Sequence, residues 1–381
     1  MQVSRRGDVD PFIVMDIMHM AAEAEAEGRH VIHMEVGQPG TPAPSTARKA
    51  LAKALDEDAL GYTLTPGLPE LREGIANLHK DWYGVDLDPD RILITPGSSG
   101  AFVLCFSALF DTGQRIGIAS PGYPSYRQIL KAQGLQPELI QTEPQDGYQL
   151  RPDQITDAGL DGVMVASPAN PTGTMLNRDR MEGLMDAARE AGTTFISDEI
   201  YHGLHYGERA VSALEIGDDA IVINSFSKYF SMTGWRVGWM VLPEEMVRPV
   251  EKLAQHLFIC APHASQIAAL GALSARDELE ENVQTYERNR AIVLNGLEAA
   301  GIKRFAPPDG GFYVYADISH LGDNSLRLAK DFLAEEGVAV TPGIDFDPER
   351  GATMWRLSYA ADTSDIADGM ERLAKFTARR N

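Results

Sequence analysis

Apolar residues recur at helical spacing from 14 to 27, and the run stops at Gly28. This pattern predicts an amphipathic helix. Two further helices are predicted over 46–55 and 69–83, both rich in Ala, Leu, Glu and Lys. The pattern then changes. Short continuous apolar runs at 92–95, 115–119, 162–166, 194–197, 220–224 and 237–241 read as buried strands. Helical stretches at 101–110, 124–133 and 180–191 separate several of them. Such alternation predicts a largely parallel sheet with helices on both faces. Beyond a long helix over 278–300, strands at 310–315 and 354–358 and helices at 326–336 and 365–378 predict a smaller α/β unit. The expected division is a large domain over 41–284 and a small domain built from 1–40 and 285–381.

Composition narrows the class. The chain has 381 residues, 44% hydrophobic and 23% charged, which is enough for more than one core. Its net charge is −21, from 34 basic and 55 acidic residues, and this counts against nucleic acid as a partner. No apolar stretch reaches membrane-spanning length, and no signal-like region opens the chain. Cys105 and Cys260 are the only cysteines. They form no disulfide framework, so a reducing cytoplasm is the expected compartment. No internal repeat stands out, and no metal site is expected.

In open α/β sheets, ligands bind beyond the carboxyl ends of the strands. Five polar loops follow the predicted strands: Thr95-Pro96-Gly97-Ser98-Ser99-Gly100, Ser120-Pro121-Gly122-Tyr123, Ser167-Pro168-Ala169-Asn170-Pro171-Thr172-Gly173, Asp198-Glu199-Ile200-Tyr201 and Ser225-Phe226-Ser227-Lys228. Farther on stand Arg236, within Thr233-Gly234-Trp235-Arg236-Val237-Gly238, and Arg356, within Trp355-Arg356-Leu357-Ser358. Taken singly these are ordinary features: a solvated lysine, a capping serine, an Asn-Pro turn. Together they place a lysine and a carboxylate at one expected rim, with Arg236 soon after and Arg356 in the smaller unit.

In order and spacing, from Gly37 to Arg356, these motifs resemble the class I and II aminotransferases, which are fold type I enzymes of pyridoxal 5′-phosphate (PLP). The resemblance implies an α/β fold, with a large domain of mostly parallel sheet flanked by helices and a smaller α/β domain. It implies that Lys228 forms the imine with the cofactor aldehyde and shuttles the proton. Asp198 would face the pyridine nitrogen, where a carboxylate keeps that nitrogen protonated. Tyr201 and Asn170 would bond the ring oxygen, and Tyr123 would stack on the ring. Ser98, Ser99, Ser225, Ser227 and Arg236 would hold the phosphate, which favours helix N-termini and guanidinium. Arg356, Gly37 and Asn170 would bind the substrate carboxylate. Tyr62 would reach the phosphate of a neighbouring subunit, which implies a homodimer with shared sites.

The implied reaction is a ping-pong transfer of an amino group from an amino acid to a 2-oxo acid. A carbon–sulfur β-lyase on the same fold begins with the same deprotonation and is the nearest alternative. A PLP-sensing, non-enzymatic regulator is the more distant one. Two departures bear on the substrate. The family's frequent Gly-Glu-Pro-Asp-Phe reads Gly37-Gln38-Pro39-Gly40-Thr41 here, and Ser99 stands where one bacterial aspartate-specific group has a lysine. Both point to neutral donors, unless an arginine or His263 replaces that lysine. Phe12, Ile13 and Val14 are expected at the substrate entrance.

Overall fold

The structure is a computed structural model and describes residues 3–380. A short strand near the N-terminus, β1 (Ile32–His33), precedes the main sheet. That sheet has seven strands: β2 (Ile92–Thr95), β3 (Arg115–Ser120), β4 (Gln136–Gln141), β5 (Gly162–Ala166), β6 (Thr194–Asp198), β7 (Ile221–Ser225) and β8 (Gly238–Val241). Their order is β2-β8-β7-β6-β5-β3-β4. Pairing is parallel from β7 through to β4, and β8 runs antiparallel to both of its neighbours.

Alternation within the strands builds two cores, one on each face. Ile221 and Ile223 join one cluster with Ile116, Ile118, Met164 and Met240. Val222 joins the other, with Val163, Val165, Trp239 and Val241. This second cluster runs on without a break into the C-terminal part, to Tyr313, Trp355 and Leu357.

The C-terminal part holds β9 (Tyr313–Asp317), β10 (Val338–Ala339), β11 (Thr341–Pro342) and β12 (Met354–Ser358). β12 pairs antiparallel with both β11 and β9. β1 pairs in parallel with β10, which ties the N-terminal segment to this unit. The α/β class and the mostly parallel sheet agree with the sequence reading. No helix among the described residues is long and apolar enough to cross a membrane.

The structure departs from the predicted elements where local chemistry masks them. β4 (Gln-Pro-Glu-Leu-Ile-Gln) was not expected, because an edge strand carries polar residues and even a proline. The helix Glu244–Leu257 contains Pro249, which breaks the helical pattern. The helix predicted over 101–110 runs from Gly97 to Leu109. Its Gly-Ser-Ser-Gly start reads as loop, yet Ser98 and Ser99 lie inside its first turn. Neither serine caps it, since the N-cap is Pro96 and no side chain accepts there.

Asn289 fastens the long helix Arg276–Ala299 to the chain leaving β12. Its buried amide donates to the carbonyls of Tyr359 at 3.0 Å and Ala361 at 2.9 Å. Asn289→Ala leaves the buried Tyr359 carbonyl and the half-buried Ala361 carbonyl without this donor and is expected to lower stability by about 1–3 kcal/mol. Urea unfolding should show an earlier midpoint with an unchanged slope.

Candidate active site

The carboxyl ends of β3, β5, β6 and β7 open on one rim. Thr95, Ser120, Asp198 and Ser225 are the last residues of β2, β3, β6 and β7. The turn-back from β7 into β8 sets Ser225 opposite Gly238. The excursion between them therefore leaves and rejoins the sheet at the same rim, carrying Ser227, Lys228 and Arg236. A cavity of about 240 Å³ lies there. Its walls include Gly37, Ser98, Ser99, Tyr123, Asn170, Asp198, Tyr201, Ser227, Lys228, Arg236 and Arg356. Residues far apart in the chain thus meet at one cavity.

Not every expected residue lines this cavity within one chain. Ser225 sits behind the wall, its hydroxyl 2.8 Å from that of Ser227, and it also donates to the Val237 carbonyl at 3.0 Å. Its reach toward the cavity is through Ser227. Tyr62 is 82% exposed and lines a separate surface hollow with Cys260 and His263. His263 bonds the Gly61 carbonyl at 2.9 Å, so within one chain it does not face the cavity. At the entrance, Phe12 and Val14 line the wall with Met15 and Met18, while Ile13 does not. Asp345 explains the helix placement, because its carboxylate accepts from the backbone of Ile13 at 3.4 Å and Val14 at 3.2 Å.

The charged groups are unevenly matched. Lys228, Arg236 and Arg356 share the cavity with a single carboxylate, Asp198. Burial, reinforced by Arg356 and Arg236, pushes the Lys228 amine down to about 7, and only Asp198 opposes. Its Nζ donates to the Gly37 carbonyl. Burial pushes Asp198 up to about 6, while the Tyr126 hydroxyl, the Ile200 amide and Lys228 pull it down. Tyr126 donates to one Asp198 oxygen, and the Ile200 amide donates to the other at 3.0 Å.

Arg356 is 2% exposed. It donates to Asn170 Oδ1 and to Thr341 Oγ1, each at 3.1 Å, and to the Glu35 carbonyl. It lies 4.4 Å from the Tyr313 ring centre and 4.8 Å from that of Phe346, with no carboxylate partner among the described residues. Arg236 has left-handed backbone (φ +50°) and donates to the Thr233 carbonyl at 2.9 Å. Its guanidinium lies over Gly97, where a Cβ would fall 2.3 Å from Nη2. Gly97 also has φ +70°, so glycine is required there twice over. Cations lacking anions, beside a helix N-terminus, suit a ligand with a phosphate and a carboxylate.

Tyr126 and Tyr313 were not anticipated as site residues. Tyr126 follows Tyr123 by three positions, and the helix Pro124–Gln133 turns both toward Asp198. Gly37, expected beside the substrate carboxylate, is also constrained by packing. A Cβ there would lie 1.8 Å from the Tyr313 hydroxyl.

The family model for aminotransferase class I and II matches residues 29–373. A valine–pyruvate aminotransferase of Mycobacterium tuberculosis is 42% identical, covering 98% of both chains. The chain belongs to the class I and II aminotransferases. A (5-formylfuran-3-yl)methyl phosphate transaminase of Methanocaldococcus jannaschii is 36% identical over 96% of this chain and 97% of that protein. Among solved structures, one from Silicibacter pomeroyi is 58% identical with a TM-score of 0.94 over both full chains. An aminotransferase from Mycobacterium tuberculosis is 42% identical with a TM-score of 0.97, again over both full chains. The protein is thus a transferase enzyme of a PLP-dependent family, and the lyase and regulator alternatives are not favoured.

Behind the cavity residues of this aminotransferase lies a buried acid. Glu199 is fully buried, and its Oε1 accepts from Ser197 and Ser212 at 3.1 Å and from the Ala213 amide at 2.8 Å. Among the described residues its Oε2 has no hydrogen-bond partner, and His202 Nδ1 lies 3.5 Å from it. Nearby, His202 bonds the Ser167 carbonyl at 2.9 Å, linking this acid's loop to the loop of Asn170. Burial pushes the Glu199 carboxyl from its usual 4.5 up to about 8.

Two outcomes are expected. Between pH 4.5 and 8 the native chain keeps a Glu199 proton that the unfolded chain has released, so this group's stabilisation falls as pH rises. Glu199→Gln removes that dependence. Its stability relative to the wild type should rise with pH across this window, as read by urea unfolding at several pH values. Gly37→Ala drives a methyl group into the Tyr313 hydroxyl and displaces the carbonyl that Lys228 uses. Activity should fall about 10²-fold, as read by steady-state kinetics on folded protein.

Proposed function

We propose that this enzyme moves the amino group of a neutral, mainly apolar amino acid to a 2-oxo acid, using PLP held at Lys228. The observation that carries the reading is the set of charges around Lys228. Arg236 stands by the helix starting at Gly97, Arg356 stands across the cavity, and Asp198 lies between two hydrogen-bond donors. Each charged part of cofactor and substrate then has a counterpart. Ser98, Ser99, Ser227 and Arg236 would hold the phosphate, with Ser225 supporting Ser227. Asp198 would face the pyridine nitrogen, Tyr123 the ring, and Tyr201 and Asn170 the ring oxygen. Arg356 and Asn170, beside Gly37, would take the substrate carboxylate.

When bound, PLP supplies an electron-withdrawing ring that lets the substrate Cα release its proton. Lys228 Nζ is suited to take that proton and return it, because its surroundings favour the neutral amine. Arg356 orients the substrate so that Cα faces Nζ. The two half-reactions use one pocket in turn, and the first 2-oxo acid leaves before the second enters.

The donor preference rests on what faces the entrance. Phe12, Val14, Met15, Met18 and Ile200 supply apolar surface, and Ser99 brings no charge. Beyond Lys228, Arg236 and Arg356, no lysine or arginine lines the cavity to pair with a side-chain carboxylate. The valine–pyruvate enzyme at 42% identity agrees with this preference.

The same reading assigns cofactor binding to a large domain over 41–284. A small domain, made from 1–40 and 285–381, brings Arg356 to it. A homodimer would let the exposed Tyr62 reach the partner's phosphate site. Two cysteines free of disulfide fit a reducing cytoplasm.

Lys228→Ala should cost at least about 10²-fold in turnover and abolish the visible absorbance of lysine-linked cofactor. Arg356→Lys should keep that absorbance while raising KM for amino donors at least about tenfold, since an ammonium loses the bidentate contact. A panel of donors against pyruvate and 2-oxoglutarate should favour apolar amino acids. Aspartate or glutamate as the best donor by a wide margin would overturn the preference.

A further inference from the structure

We propose that Tyr313 is a positioning residue that couples the substrate-carboxylate site at Arg356 to the ring-oxygen site at Tyr201. The inference rests on the reading of the site given above. Tyr313 lies on β9, and Arg356 lies on the adjoining β12, where it pairs with Tyr315. Residues two apart on a strand share a face, so Tyr313 is the diagonal neighbour of Arg356. Its ring accordingly sits 4.4 Å from the guanidinium carbon. At its other end, the Tyr313 hydroxyl lies 2.9 Å from that of Tyr201. The side chain is 1% exposed, and its hydroxyl fills the space that only a glycine at 37 leaves open.

Burial of an aromatic ring alone would be met equally well by phenylalanine. The hydroxyl, however, is aimed at a second buried hydroxyl rather than at solvent. If Tyr201 donates its proton to the cofactor's ring oxygen, its own oxygen must accept, and Tyr313 is the donor. A phenol whose oxygen accepts a hydrogen bond becomes a stronger acid and therefore a stronger donor onward. Tyr313 thereby strengthens the Tyr201 bond and helps keep the ring oxygen ionised. Its ring meanwhile holds Arg356 at the angle that meets the carboxylate.

The two roles separate by substitution. Tyr313→Phe keeps the ring and removes the hydroxyl. With a weaker Tyr201 bond, the ring oxygen holds more charge against the neighbouring linkage nitrogen, which then keeps its proton to higher pH. Spectral titration of the lysine-linked cofactor in the holoenzyme should shift upward by a few tenths of a pH unit, with KM for the donor changed less than about twofold. Tyr313→Leu also removes the ring, and KM should rise by about 2–30-fold. Should the leucine variant fail to fold, the phenylalanine variant carries the test alone. Normal absorbance with an unmoved titration in Tyr313→Phe would overturn the coupling and leave the Lys228 assignment standing. Lack of lysine-linked absorbance in the wild type would instead overturn that assignment.

Discussion

Three cationic side chains share a small enclosed space with one carboxylate, in a chain whose net charge is −21. Burying an unmatched cation is costly unless dipoles and hydrogen bonds take the place of water. The surroundings of Arg356 are built to that requirement. Two backbone or hydroxyl acceptors, one amide oxygen and two aromatic faces hold it, and none of them carries a full negative charge. Its charge is steadied yet left uncancelled. Lys228 meets the same environment differently, because an amine can shed its proton and a guanidinium cannot. The cavity thus keeps charge where an anion belongs and favours a neutral amine where a base belongs.

This arrangement depends on a single reversal of the main chain. A parallel neighbour to β7 would need a crossover connection to return the chain to the same end of the sheet. The excursion from Ser225 to Gly238 holds only one short helical turn, Thr233–Trp235, so β8 comes back antiparallel. Both ends of the excursion stay at the rim, and Lys228 and Arg236 stay with them. Arg236 takes a left-handed backbone in that short path, and Gly97 leaves room for its guanidinium.

Much of this is legible in the amino-acid sequence. Buried central strands are continuous apolar runs, and the rim loops following them are polar, so β2, β3, β5, β6, β7 and β8 could be placed from the chain alone. Lys228, Asp198, Arg236 and Arg356 were legible through order and spacing. Elements whose residues contradict their own secondary structure were not. β4 is polar because it is an edge, the helix Glu244–Leu257 contains a proline, and the helix at Gly97 starts with loop-like residues. Residues that act through a neighbour were also hidden. Nothing local to Tyr126 marks it as the partner of Asp198, and nothing local to Ser225 says that it stands behind Ser227. Such roles arise only when distant segments pack.

The contact between Gly37 and Tyr313 shows what this means for how such a chain can vary. A side chain at 37 and a tyrosine at 313 compete for one volume, so neither position is free while the other is fixed. Any lineage enlarging position 37 must first shorten position 313, and that intermediate would give up the ring beneath Arg356. The two positions are therefore sterically coupled, and a designer reshaping the pocket faces an ordered path rather than two independent choices.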